Sequence, residues 1–343
     1  MDFRQHQDSA KKNSVIIWLL YILLLCISSS LVSYTLLVGL NLAELNAEAY
    51  ANSSFFEKFI VSNQLLFTSQ EQIIQFTTMA SIAMLVMIIT TSFGFFNKSN
   101  GHKVALAFGG QLITDEDELP LPLRQALNIV AEQSLAANIP TPSLYLVPDK
   151  GINAFAAGKS SDSAIVAITQ GALDNFNRTQ LSGVIAHEIG HIVNHDIKLN
   201  IRISAFVFGF TALFFLARLL LNSALYNRRM DGRAKIILIV IAVIIAMIGA
   251  ITVLFGRILQ AAMSRQREYL ADASAAQFTR YPAGLIEAFE VMQGKGKQDA
   301  TVNNPNAKEY AHAFMFGMSG ELFATHPPLE KRIERLQGQR SES

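Results

Sequence analysis

Within the stretch Leu181 to Asp196, LSGVIAHEIGHIVNHD, the residues His187, Glu188 and His191 form an H-E-x-x-H set. On an α-helix, residues four apart share a face and lie about 6 Å apart along the axis. Two imidazoles so placed reach one zinc ion, and the glutamate between them is held beside it as a general base. The chemistry such a set performs is metal-assisted hydrolysis. A helical wheel sorts the stretch into stripes. Leu181, Ile185, Ile189 and Ile192 make an apolar stripe, and Gly183, Ala186, Gly190 and Asn194 a small-residue stripe along which another backbone can come close. His187, Glu188, His191 and His195 fall on the third stripe, with Val184 its one apolar member. A helix apolar or small over most of its circumference is buried. A polar stripe on a buried helix needs partners, which favours a metal over a chance motif on a core helix.

The elements around this helix follow from composition. The chain has 343 residues, 51% hydrophobic and 16% charged, against about 25% charged in soluble domains. The apolar excess is concentrated in runs, the mark of membrane spans. A net charge of +1 argues for neither nucleic acid nor any strongly charged partner. Cys26 is the lone cysteine and lies in an apolar run. No disulfide forms within the chain, and a metal site near the motif must use His, Asp and Glu.

Ser14 to Leu42 and Ile73 to Asn97 are charge-free runs long enough to cross a bilayer. The first is too long for a signal peptide and lacks a clear cleavage site, so it reads as a retained span. Arg4, Lys11 and Lys12 precede the pair, Lys98 and Lys103 follow it, and the stretch 43–72 between is acidic. The positive-inside rule puts the N-terminus and the stretch after Lys98 in the cytoplasm. From about residue 98 the composition is that of an α/β domain. Leu121 to Asn138 has helical periodicity. Ser143 to Val147 and Ala164 to Ile168 read as strands, Asn153 to Gly158 as an edge strand, and a helix starts near Thr179. Ile203 to Leu221, containing Arg218, and Ile236 to Phe255, charge-free, are two further span candidates. Met263 to Phe278 reads as a helix, residues 293–309 as a mobile loop, and Leu329 to Leu336 as a charged helix.

A catalytic zinc takes three protein ligands and leaves a position for water. His195 is near in sequence, but it stands about 12 Å from His187 along a straight helix, too far for both to hold one ion. A helix-end role suits it better. Glu268, in Ser264 to Asp272, is the better candidate, with Asp272 one turn on and on the same face. That aspartate is placed to accept the ring N–H of a ligating histidine and fix its tautomer.

Taken together, HEIGH followed by Asp196, two apolar segments, SRQREYLADASA and THPPLEKR resemble the membrane-embedded zinc metalloproteases that include bacterial HtpX and the CAAX prenyl endoprotease. Asn153 to Gly158 is similar to that family's NAFA-type strand. Four apparent spans fit HtpX-like proteases better than the CAAX endoprotease. The resemblance implies one Zn2+ per chain held by His187, His191 and Glu268, with Glu188 as base and Asp272 behind the ligands. It implies that His326 and Arg332 contact the substrate or its oxyanion, and that Asn153, Ala154, Phe155 and Ala156 pair with an extended substrate by strand addition. His195 beside Asp196 is the one departure from the family pattern.

The expected fold is α+β, a gluzincin-like zinc peptidase domain combined with about four spans. The expected layout is an N-terminal membrane region over 1–97, a first catalytic part over 98–202, a membrane hairpin over 203–255 and a second catalytic part over 256–343. The expected protein is a multi-pass integral-membrane endopeptidase of the bacterial inner membrane. Its catalytic domain is cytoplasmic, its substrates membrane-associated or misfolded polypeptides, and its partner the lipid bilayer. A zinc-binding membrane scaffold without turnover is the alternative, but it has no need of Glu188, His326 and Arg332. A transporter would carry ionisable groups in its spans, where only Arg218 stands.

Two rules conflict over residues 203–255. If both segments cross, the loop bearing Arg228, Arg229, Arg233 and Lys235 faces outward, against the positive-inside rule. The second segment is nevertheless longer than the roughly 10 to 14 residues of a re-entrant one, which favours a crossing hairpin. Combining Cys26→Ser with Asn227→Cys should give a thiol that an impermeant reagent labels from outside; labelling from the cytoplasmic side alone would exclude the crossing.

Overall fold

Four short strands and the helices laid on them hold the H-E-x-x-H segment. The computed structural model describes residues 3–47, 53–97, 101–114, 118–158, 160–299 and 326–340. In chain order the elements are α1 (Phe3–Ala47), α2 (Phe55–Thr68), α3 (Gln70–Asn97), α4 (Gly101–Ala107), β1 (Gln111–Ile113), α5 (Leu121–Ala136), β2 (Ser143–Val147) and β3 (Ala154–Ala157). They continue with β4 (Ile165–Thr169), α6 (Gln170–Asn175), α7 (Arg178–Val193), α8 (Asp196–Phe210), α9 (Ala212–Tyr226), α10 (Gly232–Thr279), α11 (Pro282–Asp299) and α12 (Leu329–Arg340). The chain divides into two compact units, one of Met1–Val15, Asn97–Ile203 and Ile258–Ser343, the other of Ile16–Phe96 and Ser204–Arg257.

In the first unit the sheet order is β1-β2-β4-β3. β2 and β4 run parallel, while β1 and β3 pair antiparallel with them, placing β3 at an edge. Ile165 to Thr169 is apolar almost throughout because both faces are covered. Val166 and Ile168 join Leu144, Ala154 and Ala156 in a core with α5, α7 and α11. Ile165 and Ala167 pack on the opposite face with Tyr145, Phe155 and the α4 residues Val104 and Ala105. Helix α7 begins at a capping box: Asn177 Oδ1 accepts from Gln180 N at 2.9 Å and Gln180 Oε1 accepts from Asn177 N at 3.0 Å. The small-residue stripe on α7 is used as its composition suggests. A Cβ on Gly183 would stand 2.6 Å from Leu285 N on α11, and one on Gly190 3.2 Å from Ala271 O on α10.

The second unit is a bundle of apolar helices. Four stretches are long and apolar enough to cross a membrane: Trp18–Leu45, Gln70–Ser92, Arg202–Tyr226 and a part of Gly232–Thr279. Buried side chains bond across the bundle, as where Tyr21 OH donates to Gly256 O at 2.7 Å and Ser33 Oγ to Phe76 O at 2.8 Å.

Four expectations are revised. The stretch 43–72 holds a helix, α2, between the first two spans. The third apolar segment is interrupted at Thr211, whose hydroxyl donates to Phe208 O at 2.6 Å where α8 ends. The fourth segment and the Met263 helix are one helix of 48 residues, because no Gly or Pro punctuates Arg257 to Thr279. Residues 293–299 belong to α11 rather than to a loop, Gly294 and Gly296 being tolerated within it; residues 300–325, including Thr325, lie outside the described ones.

Gly183→Ala should lower stability by about 1–3 kcal/mol, because the added methyl meets a backbone that cannot give way. Gly294→Ala, whose Cβ would meet nothing within 4 Å, is the control. Thermal unfolding in detergent compares the two.

Candidate metal centre

His187, Glu188 and His191 lie in the second half of α7, on the turn just before it ends. Asn194 caps the helix, His195 takes a left-handed φ of 56°, and Asp196 then begins α8. This turn brings Asp196 back against the helix it has left: His191 Nδ1 lies 2.9 Å from Asp196 Oδ2. Arg267 of α10 forms an ion pair with Asp196 and donates to Asn194 O at 3.3 Å. The other imidazole has a matching arrangement. His187 Nδ1 lies 3.0 Å from Asp272 Oδ1, and Arg332 of α12 donates to Asp272 Oδ2 from Nε at 2.9 Å and to Oδ1 from Nη2 at 2.6 Å. Each ring therefore gives its Nδ1–H to a carboxylate, and each carboxylate faces a guanidinium. That arrangement favours, in each ring, the tautomer whose Nε2 can serve as a metal ligand.

The Nε2 atoms converge. The two Nε2 atoms are 3.1 Å apart, with Glu268 Oε2 3.5 Å from His187 Nε2 and Oε1 3.6 Å from His191 Nε2. Ligands at 2.0–2.1 Å from a tetrahedral zinc are separated by about 3.4 Å. His187, His191 and Glu268 are also the group of residues found placed to hold one ion, their ligand atoms within 4.8 Å of one another. Charge points the same way. Glu188, Asp196, Glu268 and Asp272 are each at most 3% exposed. Arg267 and Arg332 balance two of these carboxylates, and a divalent cation would balance the other two. Glu268 Oε2 is buried without an aligned hydrogen bond, although Arg332 Nη1 stands 3.1 Å away. Burial alone would push the His187 imidazole down, yet its contacts with Asp272 and Glu268 raise it to about 9. His191 is likewise raised, burial being outweighed by Asp196. The centre attracts positive charge, and its donor set fits zinc.

Glu188, 2% exposed, points toward the edge strand, where the N–H of Ala156 donates to its carboxylate. Burial raises its pKa above the usual carboxylate range. Ala154 and Ala156 lie on the face of β3 toward α7, while Phe155 packs on the far face, its ring centroid 5.5 Å from that of Phe108. Asn153 Oδ1 accepts from Ala154 N at 2.9 Å. His326 Nδ1 lies 3.0 Å from Glu268 Oε1. Arg332 is wholly buried, its guanidinium 4.3 Å from the Phe289 ring centroid and turned to Glu268 and Asp272. His195 is exposed at the helix end and stands outside the ligand group. Sequence reasoning gave no role to Arg267 and only family likeness to Asp196. The five-residue spacing from His191, across a helix end, was the available signal for Asp196.

An H-E-x-x-H helix with a glutamate from a second helix on the same centre defines a zinc-type metallopeptidase. Residues 121–340 match Peptidase family M48, and the chain belongs to that family. It is 35% identical over 290 residues to a protein named Protease HtpX homolog from Dictyoglomus thermophilum, covering 84% of this chain and 92% of that relative. A relative of the same name from Caldanaerobacter subterraneus subsp. tengcongensis is 40% identical over 243 residues, covering 68% and 77%. A crystal structure of S. mikatae Ste24p aligns at a TM-score of 0.41 and 18% identity, covering 82% of this chain and 63% of that one. The chain is a metalloprotease with helices that fit a membrane.

Glu268→Ala should abolish tight zinc binding, and His195→Ala should retain it. Arg267→Met should weaken zinc by about 10- to 100-fold, the usual effect of losing a partner behind a ligand. Competition against a chelator measures all three; unaltered affinity in Arg267→Met would show that its contact with Asp196 does not orient His191.

Proposed function

We propose that the chain is a zinc endopeptidase of the bacterial inner membrane, acting from the cytoplasmic side on membrane-associated or misfolded polypeptides. The observation that carries the catalytic part is the convergence of His187, His191 and Glu268 beside the buried carboxylate of Glu188. These three residues would hold one Zn2+. When bound, the ion supplies Lewis acidity, polarising a carbonyl and acidifying water. Glu188 takes a proton from the attacking water, whose oxygen bonds to the scissile carbonyl carbon. It returns that proton to the amide nitrogen as the C–N bond breaks. Burial, which raises its pKa, makes it a stronger base than a solvated glutamate.

His326, beside Glu268, is the donor proposed for the developing oxyanion. Arg332 fixes Glu268 and Asp272 through its ion pairs and so holds the ligand side of the centre. The outward backbone groups of Ala154 and Ala156 on β3 would receive the substrate as an added strand, with Asn153 and Phe155 anchoring that strand in the sheet. Glu188 would then exchange the Ala156 N–H for its bond to the water. Basic residues outside the first two spans support the cytoplasmic orientation, and the HtpX name of the relatives supports a role in membrane protein quality control.

Glu188→Gln should bind zinc at wild-type affinity and cleave an unfolded test protein at least about 1,000-fold more slowly, since an amide cannot accept the proton. Proteolysis by detergent-purified protein with and without a chelator tests this. Zinc-dependent cleavage that survives the substitution would remove Glu188 from the mechanism.

A further inference from the structure

Helix α2, between the first two spans, is inside out. Its inward stripe is Lys58, Ser62 and Leu66, which are 6%, 0% and 4% exposed. Its outward face carries Phe55, Phe56, Phe59 and Ile60, which are 73%, 69%, 36% and 41% exposed. In water such a helix would turn round, lysine outward and phenylalanines inward. It is instead pinned by polar bonds on its inner side. Ser62 Oγ donates to Val38 O at 3.5 Å, Asn41 Nδ2 to Ser62 O at 3.5 Å, and Tyr34 OH to Asn63 Oδ1 at 2.6 Å. Asn41 and the α3 residue Gln72 exchange amide bonds at 3.2 and 3.0 Å.

Those bonds land on Tyr34, Val38 and Asn41, within the charge-free run of α1 rather than beyond its end. Leu66 joins Leu37, Val38 and Leu42 in one apolar cluster. The apolar surface continues onto α3, where Ile73 and Ile74 are 47% and 56% exposed. The 14 residues of α2 are the length of an interfacial or re-entrant segment, roughly 10 to 14 residues. Its one acid, Glu57, is bound in the capping box at the helix start, 2.9 Å from Ser54 N.

We propose that α2 is a membrane-embedded helix whose phenylalanine face lies among lipid acyl chains at the bilayer boundary. The connection between the first two spans is then a lipid-binding element and not an aqueous loop. On its inner side Ser62 and Asn63 are bonded to α1, and its apolar outer side takes the surrounding hydrocarbon as its partner. This holds whether or not the chain cleaves peptides, because it rests on no residue of the metal centre.

Trp18 is the only tryptophan, so Trp18→Phe combined with Phe56→Trp reports on this face alone. The full chain is reconstituted in phosphatidylcholine–phosphatidylglycerol vesicles, with and without lipids brominated on their acyl chains. The expected result is blue-shifted emission that loses most of its intensity to the bromolipids and is indifferent to aqueous iodide. Leu135→Trp, at a position 83% exposed on α5, should show the opposite pattern. Iodide quenching at position 56 would return α2 to the water phase. Blue-shifted emission indifferent to both quenchers would mean that protein, such as a second copy, covers the face. Either overturns the proposal. Phe59→Trp repeats the measurement on the same face should the first variant fail to insert.

Discussion

Four carboxylates held out of water within one small volume, Glu188, Asp196, Glu268 and Asp272, set the terms for the rest of the catalytic unit. An unpaired buried charge costs several kcal/mol, and stripping one partner from a buried pair costs about 3–5 kcal/mol. Three of the four are met by cations delivered from fixed elements, and Glu188 by the Ala156 N–H. Asp196 receives Arg267 from α10, and Asp272 receives Arg332 from α12. Glu268 lies between Arg332 and His326, near the two imidazoles. The C-terminal helix, whose composition reads as an ordinary charged surface helix, is for this reason part of the centre. Arg332 is among the most deeply buried side chains described.

The same constraint explains why the ligands sit on packed helices rather than loops. α7 is gripped between the sheet with α5 on one side and α11 with α10 on the other. Its glycines bring α11 and α10 to backbone contact. The separation between the two histidines and Glu268 is thus set by helix packing and changes little with side-chain motion. The Arg267 contact with Asn194 O ties the end of the histidine helix to the residue beside Glu268.

Much of this was legible in the chain because periodicity reports burial. The stripes of LSGVIAHEIGHIVNHD foretold a helix packed on two faces, and the apolar run Ala164 to Ile168 foretold a strand, which the fold covers on both faces. Glu268 was reachable because a tetrahedral ion leaves His195 out of range. Partnerships across long separations were not legible. Nothing in the spacing says that Arg332 meets Asp272 rather than a substrate, or that Arg267 meets Asp196; those choices depend on how α10 and α12 pack. Helix α2 was missed for another reason. Its polar residues, within an acidic stretch, give no sign of an apolar face turned outward, whereas Ser62 and Asn63 bond inward to α1. Charge alone also could not tell that α10 runs on through Arg257 and Arg265, since a helix needs no apolar face once it leaves hydrocarbon.

The edge strand β3 poses a hazard that any cell must manage. An open sheet edge is a template onto which stray unfolded chains can stack. Here the two donors on the outer edge are already occupied by the protein's own side chains, Ala154 N–H by Asn153 and Ala156 N–H by Glu188. A passing chain finds acceptors but no free donors, and only four residues of strand. Self-association through this edge is therefore discouraged at its source. A polypeptide that does lodge there must win a hydrogen bond away from a buried carboxylate, a toll that casual contact does not meet.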